Sequence, residues 1–400
     1  MAARDKSGAV YRRYAGGSAL SYRHDICIVG LKCFGLLANY EVPKYLGGIE
    51  RVLVALARGM AQQGLRVAFI TFDEGHPDGD VIDNVTVFNA YREGDGIRGI
   101  RAFHPKASSI KMAMQRADAR VYLEMGAGIE TFWTALFAHF FMGARRLMVY
   151  CLASDSDARL DVPLIESGIE RLLYKRGLKG ADVVLSQTIT QKKLLLEQFQ
   201  LVSTVTPLPY ITSASKADVD QVGEDMIWVG RLMKDKRLEY YLQLAARFPK
   251  KRFHVIGAAN QVSDYAKSVM DQAKTHPNVI VHGRISDDAL EALYKNACIL
   301  FCTSVLEGFP TTFLEAWSYG VPVVTTFDPD NVVSMNKLGG VAQDVESLYQ
   351  EASKLIDNED VYEEAAMRCR AYYDAHYTAE SAVPGLLAAI GSPTAIQETS

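Results

Sequence analysis

Short apolar runs alternate with amphipathic stretches along most of this chain. In the first half, runs rich in β-branched residues predict strands at 26–30, 66–72, 85–89, 120–124, 146–151 and 182–186. Between most of them, apolar residues recur with helical spacing, at 48–63, 129–142, 165–179 and 191–200. Strands that alternate with helices in this way predict a parallel sheet with helices on both faces.

A second alternating series follows an irregular segment that contains Pro207 and Pro209. Its predicted strands are 226–230, 252–256, 279–282, 298–303 and 321–325. Its predicted helices are 238–246, 264–274, 287–296 and 312–319, with a long exposed helix at 345–377. The pattern predicts an α/β protein with two Rossmann-like, doubly wound domains facing a central cleft, where open α/β sheets bind ligands.

The predicted domain boundaries follow from these two series. They are a disordered tail at 1–23, a first domain at 24–205, a linker at 206–219, a second domain at 220–378 and a C-terminal tail at 379–400. Whether the C-terminal tail packs back on the first domain is left open. The basic residues of the N-terminal tail favour a solvated segment, with a weak contact to anionic lipid as the alternative.

Composition narrows the class of protein. The 400 residues are 49% hydrophobic and 22% charged, as in ordinary soluble enzymes, and the net charge of −4 argues against a nucleic-acid partner. Neither a signal peptide nor a membrane-spanning run is evident, so we expect a cytoplasmic protein, with peripheral contact to the inner face of the membrane as an alternative. The six scattered cysteines lack zinc-site spacing, which predicts buried, reduced thiols.

The most informative segment is 301–325, which reads as strand, loop, helix and strand. The loop Glu307-Gly308-Phe309-Pro310 leads into a helix that starts near Thr311 or Thr312, and Glu315 lies in its first turns. A helix N-terminus presents unpaired N–H groups and partial positive charge, which suits a phosphate. The alternatives are a solvated Glu307 and a capping box in which Glu315 only satisfies a backbone N–H.

Two further loops carry groups that suit phosphates. Arg231 and Lys236 lie on the loop that leaves the predicted strand 226–230, where a guanidinium and an ammonium can converge on one diphosphate. Gly47 and Gly48 precede a predicted helix and allow close approach of a phosphate. For Arg231 and Lys236 the alternative is a solvated basic loop. For Gly47 and Gly48 it is a plain turn. No Walker A or GxGxxG string is present, which excludes the usual ATPase and dehydrogenase cradles.

The string Glu-Gly-Phe-Pro-x4-Glu-Ala, followed by Tyr-Gly-Val-Pro-Val-Val, resembles the Glu-x7-Glu signature of retaining family 4 glycosyltransferases, also called glycosyl transferases group 1. These enzymes have the GT-B fold. The Val-Gly-Arg-Leu…Lys element that contains Arg231 and Lys236 resembles their diphosphate-binding loop, and Gly47-Gly48 matches their N-domain glycine loop.

The resemblance implies a role for each matching residue. It implies Glu307, Arg231 and Lys236 as catalytic residues, with Lys234 in place of Lys236 if the register differs. Glu315 would bind the ribose of the nucleotide. The full set of implied substrate-binding residues is Gly47, Gly48, Gly230, Ile285, Gly308, Phe309, Pro310, Thr311 and Glu315.

The resemblance also implies the reaction. A sugar would pass from a nucleotide diphosphate sugar, carrying UDP or GDP, to a glycan or lipid-linked acceptor, with retention and with no metal or other cofactor. Asp155 and Asp157 have the Asp-x-Asp spacing that holds a metal in GT-A enzymes, but the two-domain pattern favours acceptor-side or turn residues. The family's N-domain histidine has no clear counterpart, with His104 and His139 the nearest. A nucleotide-sugar epimerase and a non-catalytic scaffold remain alternatives.

Overall fold

The computed structural model describes residues 22–41, 43–45, 47–96, 102–162, 165–210, 212, 223–259 and 263–391. The chain divides into two compact units, Met1–Pro209 with Ala379–Ser400, and Tyr210–Thr378. The chain first passes from one unit to the other after Pro209, which lies inside the predicted linker. Most of that linker and nearly all of the predicted N-terminal tail lie outside the described residues.

The first unit is built on an eight-stranded sheet with the order β3-β4-β2-β1-β5-β6-β7-β8. All neighbours are parallel except β3 and β4. The polar edge strand β3 and the two-residue β8 were not predicted, because neither carries an apolar run. The strands are β1 (His24–Val29), β2 (Val67–Thr71), β3 (Asp80–Ile82), β4 (Val85–Asn89), β5 (Ala119–Met125), β6 (Leu147–Cys151), β7 (Val183–Ser186) and β8 (Thr204–Val205).

Helices of the first unit cover this sheet with their apolar faces. In chain order they are α1 (Phe34–Leu37), α2 (Gly48–Gln62), α3 (Ser108–Ala117), α4 (Ile129–Phe140), α5 (Gly168–Lys179) and α6 (Ile189–Phe199). Helix α2 buries Val52, Leu53, Leu56 and Met60 at helical spacing. The last helix among the described residues, Ala379–Gly391, packs against α2, where Gln63 donates to the Ala379 carbonyl at 3.2 Å.

The second unit has a fully parallel six-stranded sheet with the order β11-β10-β9-β12-β13-β14. Its strands are β9 (Asp225–Val229), β10 (Phe253–Ile256), β11 (Val279–Gly283), β12 (Ala297–Cys302), β13 (Val323–Thr325) and β14 (Gly339–Val341). Its helices are α7 (Leu238–Arg247), α8 (Asp264–Ala273), α9 (Asp287–Lys295), α10 (Thr311–Ser318), α11 (Val332–Asn336), α12 (Val345–Ile356) and α13 (Glu359–His376). Ala379–Gly391 is then α14. The predicted α/β class with two Rossmann-like parallel-sheet units is confirmed.

The prediction of one long exposed helix at 345–377 was wrong in two respects. The chain forms two helices, because Asn358 breaks the run and its side chain accepts a hydrogen bond from Val361 N at 3.1 Å, starting α13 afresh. Both helices are also half-buried, since Leu348, Leu355 and Tyr362 face the core of the second unit. All six cysteines are free and buried, as predicted.

Strand order determines where a ligand can bind in the second unit. From β9 the chain proceeds outward through β10 and β11, then returns to place β12 on the other side of β9. The strand order therefore reverses between β9 and β12, and the loops at their carboxyl ends flank the usual ligand position of an open α/β sheet. Within the described part of the chain, no helix has the length and apolarity needed to cross a membrane.

Candidate active site

Two loops leave the carboxyl edge of the second sheet side by side, the β9 loop (residues 230–237) and the β12 loop (residues 303–310). Val305 donates its N–H to the carbonyl oxygen of Asp235 at 2.8 Å. Thr303 Oγ1 accepts from Trp228 Nε1 at 3.1 Å and donates to the Lys236 carbonyl at 2.6 Å. These three hydrogen bonds therefore hold the two loops in one arrangement.

The structure pairs Lys236 with Glu307, which are 71 residues apart in the sequence. The Lys236 ammonium contacts Glu307 Oε1, and Ser304 Oγ donates to the same oxygen at 2.7 Å. The two side chains are only 14% and 19% exposed. A charged pair with so little solvent around it is weakly screened, so both groups are preoriented at the sheet edge.

The other cations of the β9 loop differ from Lys236. Arg231 and Lys234 are exposed, and within the described residues neither side chain has a hydrogen-bond or ion-pair partner. Lys236 is therefore paired with Glu307 where the strand order reverses. Lys234, which the sequence offered in place of Lys236, is exposed instead. As far as the described residues go, Arg231 can meet an incoming anion without first giving up another side-chain contact.

Arg237 was not singled out from the sequence, yet its side chain connects the β9 loop to the β12 loop. Its Nε donates to the Thr303 carbonyl at 2.7 Å, and its Nη2 donates to Thr326 Oγ1 at 2.6 Å. Its backbone is left-handed, with φ of 46°. No local pattern marks this role, because the partners come from distant parts of the chain.

Helix α10 begins at the end of the β12 loop. Its N-cap is Pro310, which makes no side-chain capping bond, so the capping box considered for Thr312 and Glu315 does not form. Gly308, Phe309 and Pro310 are buried, and the Phe309 ring packs on Tyr377 at 5.4 Å between centroids. Thr311 is half-buried at the first helical position, where a helix offers unpaired N–H groups.

Glu315 is buried in α10 with 7% of its surface exposed. The hydroxyls of Tyr210 and Tyr294 donate to its two carboxylate oxygens, Oε1 and Oε2 respectively, the latter at 2.6 Å. Sequence reasoning missed both tyrosines, since they lie 105 and 21 residues from Glu315. Two buried tyrosine hydroxyls thus help to hold the carboxylate in place.

Two more predicted residues lie at this edge. Gly230 follows β9 against Gly257, whose φ is 126° and whose added Cβ would lie 1.9 Å from the Gly230 carbonyl oxygen. Ile285 is half-buried in the loop between β11 and α9. The second unit therefore places every predicted site residue except Gly47 and Gly48 at one sheet edge.

Gly47 and Gly48 belong to the first unit, at the start of α2. Gly47 is the N-cap in an extended conformation, and a Cβ at Gly47 would lie 2.4 Å from Glu50 Oε2. The carboxylate of Glu50 thus folds back over the helix N-terminus, where the helix dipole favours negative charge.

The weaker candidates of the first unit have structural partners. Asp157 is buried and accepts from the N–H groups of Ala153 at 2.8 Å and Ser154 at 3.2 Å, and burial raises its pKa to about 6. His139 lies 2.9 Å from Asp182, and His104 is exposed beside Ser108. Among the described residues, no group of His, Cys, Asp and Glu side chains is arranged to hold a metal ion.

Glu124 is a buried carboxyl that the sequence did not mark. It lies near the end of β5, 5% exposed, and no described group donates a hydrogen bond to its Oε2. Burial raises the pKa of Glu124 well above the usual value, with further increase from the charges of Glu130 and Asp157. An acid inside an apolar strand run gives no polar pattern that could reveal it.

A cavity of about 430 Å³ lies in the first unit, beside the loops that follow β2 and β4. The rings of Tyr45 and Phe72 line it, and Arg92 pairs with Asp73 across 3.0 Å at its rim. Its volume is within the range of small-molecule sites.

Part of the second unit matches a known protein family. Residues 214–372, which contain both loops and α10, match the family Glycosyl transferases group 1. This match includes Arg231, Lys236, Glu307 and Glu315.

Curated relatives align with parts of the chain. An uncharacterized glycosyltransferase of Methanocaldococcus jannaschii is 30% identical over 103 residues, 25% of this chain and 26% of the relative. The lipopolysaccharide 1,6-galactosyltransferase of Salmonella typhimurium is 27% identical over 169 residues, 40% of this chain and 41% of the relative. The chain thus aligns with less than half the length of either relative.

Solved structures match over most of the chain. Anabaena HepE in complex with UDP and glucose has a TM-score of 0.68 at 14% identity, covering 92% of this chain and 100% of HepE. WaaG, a glycosyltransferase involved in lipopolysaccharide biosynthesis, has a TM-score of 0.64 at 15% identity, covering 92% and 100%. The predicted GT-B fold is confirmed by these similarities.

Proposed function

We propose that the protein is a retaining hexosyltransferase that moves a sugar from a UDP- or GDP-sugar to a hydroxyl group of a glycan or lipid-linked acceptor. The arrangement that carries the proposal is the paired Lys236 and Glu307 beside the N-terminus of α10. The group 1 match over this region supports it, as does the bound UDP and glucose of HepE. The relatives named in lipopolysaccharide synthesis support a role in polysaccharide or glycolipid assembly, which we place in the cytoplasm at the inner face of the membrane.

The proposed reaction breaks the bond between the anomeric carbon and the diphosphate oxygen, and that oxygen keeps the electron pair. The acceptor hydroxyl oxygen bonds to the anomeric carbon on the same face, and its proton passes to the departing diphosphate. Negative charge therefore develops on the diphosphate. Lys236, the exposed Arg231 and the N–H groups at Thr311 are the groups that would stabilise it, each contributing about 3 to 4 kcal/mol if preorganised.

Glu307 would face the sugar. Lys236 and Ser304 both contact Glu307 through Oε1. A carboxylate beside the anomeric centre stabilises developing positive charge there and accepts from sugar hydroxyls. Glu315 would accept from the ribose hydroxyls. In this proposal no metal takes part, because the cations and amides of the loops neutralise the diphosphate.

The cavity of the first unit is our proposed acceptor site. Aromatic faces at Tyr45 and Phe72, with the carboxylates of Asp73 and Glu74 beside them, suit a sugar ring that has apolar faces and hydroxyl edges. Tyr45→Ala should raise the acceptor KM and leave hydrolysis of the donor unchanged. Equal loss of both reactions would contradict this placement.

A panel of UDP-, GDP- and ADP-sugars tests the proposed function. One donor should raise the thermal unfolding midpoint, be hydrolysed slowly alone, and be consumed faster with glycan acceptors, with or without EDTA. Absence of stabilisation by every donor would leave a non-catalytic scaffold. Conversion of a donor to its epimer without acceptor would instead indicate an epimerase, and a strict need for Mn²⁺ would refute the metal-free mechanism.

A further inference from the structure

Helix α5 of the first unit packs on helix α4 through one side only. Its buried residues are Tyr174, Gly177 and Leu178. The two helices cross closely, because a Cβ added at Gly177 would lie 2.5 Å from the backbone nitrogen of Phe132. The helix is therefore firmly seated, and its opposite side remains at the surface of the unit.

The outer side of α5 follows from the helical period. Residues three, four and seven apart fall on one side of a helix, which groups Ile169, Leu172, Arg176 and Lys179 opposite Tyr174. Ile169 and Leu172 are 74% and 51% exposed, and Arg176 and Lys179 are exposed as well. These four residues, here called the outer face of α5, combine two large aliphatic side chains with two cations.

Positive charge is concentrated on this helix. It carries one acid, Glu170, against the cations Arg171, Lys175, Arg176 and Lys179. Within the described residues, the side chains of Lys175, Arg176 and Lys179 have no hydrogen-bond or ion-pair partner. Glu170 lies in the first turn, away from the outer face. Because the whole chain has a net charge of −4, this is a local basic surface on a protein of negative net charge.

The charge of the outer face favours a lipid partner over a second copy of the chain. In a symmetric dimer formed through this face, the face would meet its own copy, and like charges would repel. An anionic lipid surface instead offers phosphates to the cations and acyl chains to the aliphatic side chains. Exposed apolar residues beside cations are typical of helices that lie in the plane of such a surface.

The direction of α5 relates this face to the proposed acceptor site. The helix joins β6 to β7, which are parallel, so it runs against the strands and begins at their carboxyl edge. Ile169 and Leu172 lie in its first half, nearest that edge. The cavity lined by Tyr45 and Phe72 adjoins the loops that follow β2 and β4, at the same edge of the same sheet. Contact of α5 with a bilayer would therefore bring this edge toward a lipid-linked acceptor.

We infer that the outer face of α5 docks the protein on an anionic lipid bilayer. Ile169 and Leu172 enter the headgroup region, and Arg176 and Lys179 bind lipid phosphates. The inference deepens the proposed function, on which its membrane setting rests, by naming the surface that makes the contact. Lipid binding is measured without any sugar, so the inference and the proposed function can fail separately.

Co-sedimentation of the full-length protein with lipid vesicles tests the inference. One set of vesicles is phosphatidylcholine alone, and the other contains about one third phosphatidylglycerol, which gives an anionic surface. The wild-type protein should bind the anionic vesicles at least about tenfold more tightly than the neutral ones at low salt. High salt should reduce this difference, because it screens the charges.

Two double variants separate the two parts of the outer face. Arg176→Gln/Lys179→Gln removes both cations and should weaken binding to anionic vesicles by about 25-fold, about fivefold for each cation. Ile169→Gln/Leu172→Gln removes both aliphatic side chains and should weaken that binding by about tenfold. Glutamine is a good helix former, so thermal unfolding should show that both variants are folded.

Matched controls lie on the second unit. Lys250→Gln/Lys267→Gln removes two exposed cations. Val361→Gln/Met367→Gln removes two apolar side chains that are 41% and 61% exposed. Both control variants should bind anionic vesicles as tightly as the wild-type protein does.

The inference is overturned if the wild-type protein binds neither kind of vesicle, or if either folded α5 variant binds at wild-type strength. Self-association that Ile169→Gln/Leu172→Gln abolishes would assign the face to a second copy of the chain and would also overturn it. Sugar transfer to a water-soluble acceptor should be equal in all of these proteins. A failure of lipid binding with that transfer intact leaves the proposed function standing, whereas absence of nucleotide-sugar binding refutes the proposed function alone.

Discussion

Val305 donates its backbone N–H to the carbonyl oxygen of Asp235, joining two loops that the sequence separates by an α-β-α-β-α-β stretch. This bond, with those of Thr303 and Arg237, fixes the spacing between Lys236 and Glu307. Removing a single side chain from this edge should therefore lower the reaction rate more than the stability of the fold.

Lys236→Ala should reduce turnover by at least about a hundredfold, the usual effect of losing one preorganised charge-stabilising group. Lys234→Ala should stay within threefold of the wild-type rate, because its side chain is exposed and lies outside the pair. Steady-state rates with the donor identified by the panel measure both. Full activity in the two variants alike would refute the role given to this loop.

Glu307→Ala should abolish turnover without weakening the binding of a nucleoside diphosphate. The Lys236 ammonium loses its carboxylate partner and gains capacity for the diphosphate, while the half-buried charge left alone lowers the free energy of unfolding by about 1–3 kcal/mol. Calorimetry and thermal unfolding measure the two effects. Glu346→Ala removes an exposed ion pair with Arg247 and is the control. Weaker diphosphate binding in Glu307→Ala would contradict this arrangement.

Gly257→Ala should destabilise the protein by more than about 3 kcal/mol, since a Cβ would overlap the Gly230 carbonyl and φ is 126°. Gly283→Ala is the matched control: its φ is 71°, and nothing lies near the added Cβ, so about 1 kcal/mol is expected. Urea unfolding compares the two. Similar losses of unfolding free energy in the two variants would show that the close approach of Gly257 to Gly230 does not contribute to the cost of the substitution.

Glu124→Gln should be more stable than the wild-type protein at pH 8 and no more stable at pH 4. Burial raises the pKa of Glu124 in the folded state, so the folded protein keeps a proton that the unfolded chain releases. Stability therefore falls as pH rises above the unfolded pKa, by up to about 1.4 kcal/mol per pH unit. Thermal unfolding from pH 4 to pH 8 measures this. The exposed Glu197→Gln is the control, and parallel curves for wild type and Glu124→Gln would rule out the effect.

The alternation of apolar runs and amphipathic stretches was enough to predict most strands of both sheets. A parallel strand buried on both faces needs a continuous apolar run, and such runs are visible in a single sequence. The short strands β3, β8 and β14 escaped because they lie at sheet edges, where few residues are buried. The break at Asn358 escaped because a cap is a local geometry that the apolar period does not encode.

The sequence by itself determined which groups could meet a diphosphate, because Arg231, Lys236, Glu307 and the start of α10 each follow a strand and parallel strands end at one edge. Only the tertiary structure decided which of these groups are paired, since that depends on strand order. Placing β9 next to β12 brings Lys236 to Glu307 and leaves Lys234 in solvent. The same folding brings Tyr210 and Tyr294 to Glu315, a contact between residues whose separation along the chain carries no periodic signal.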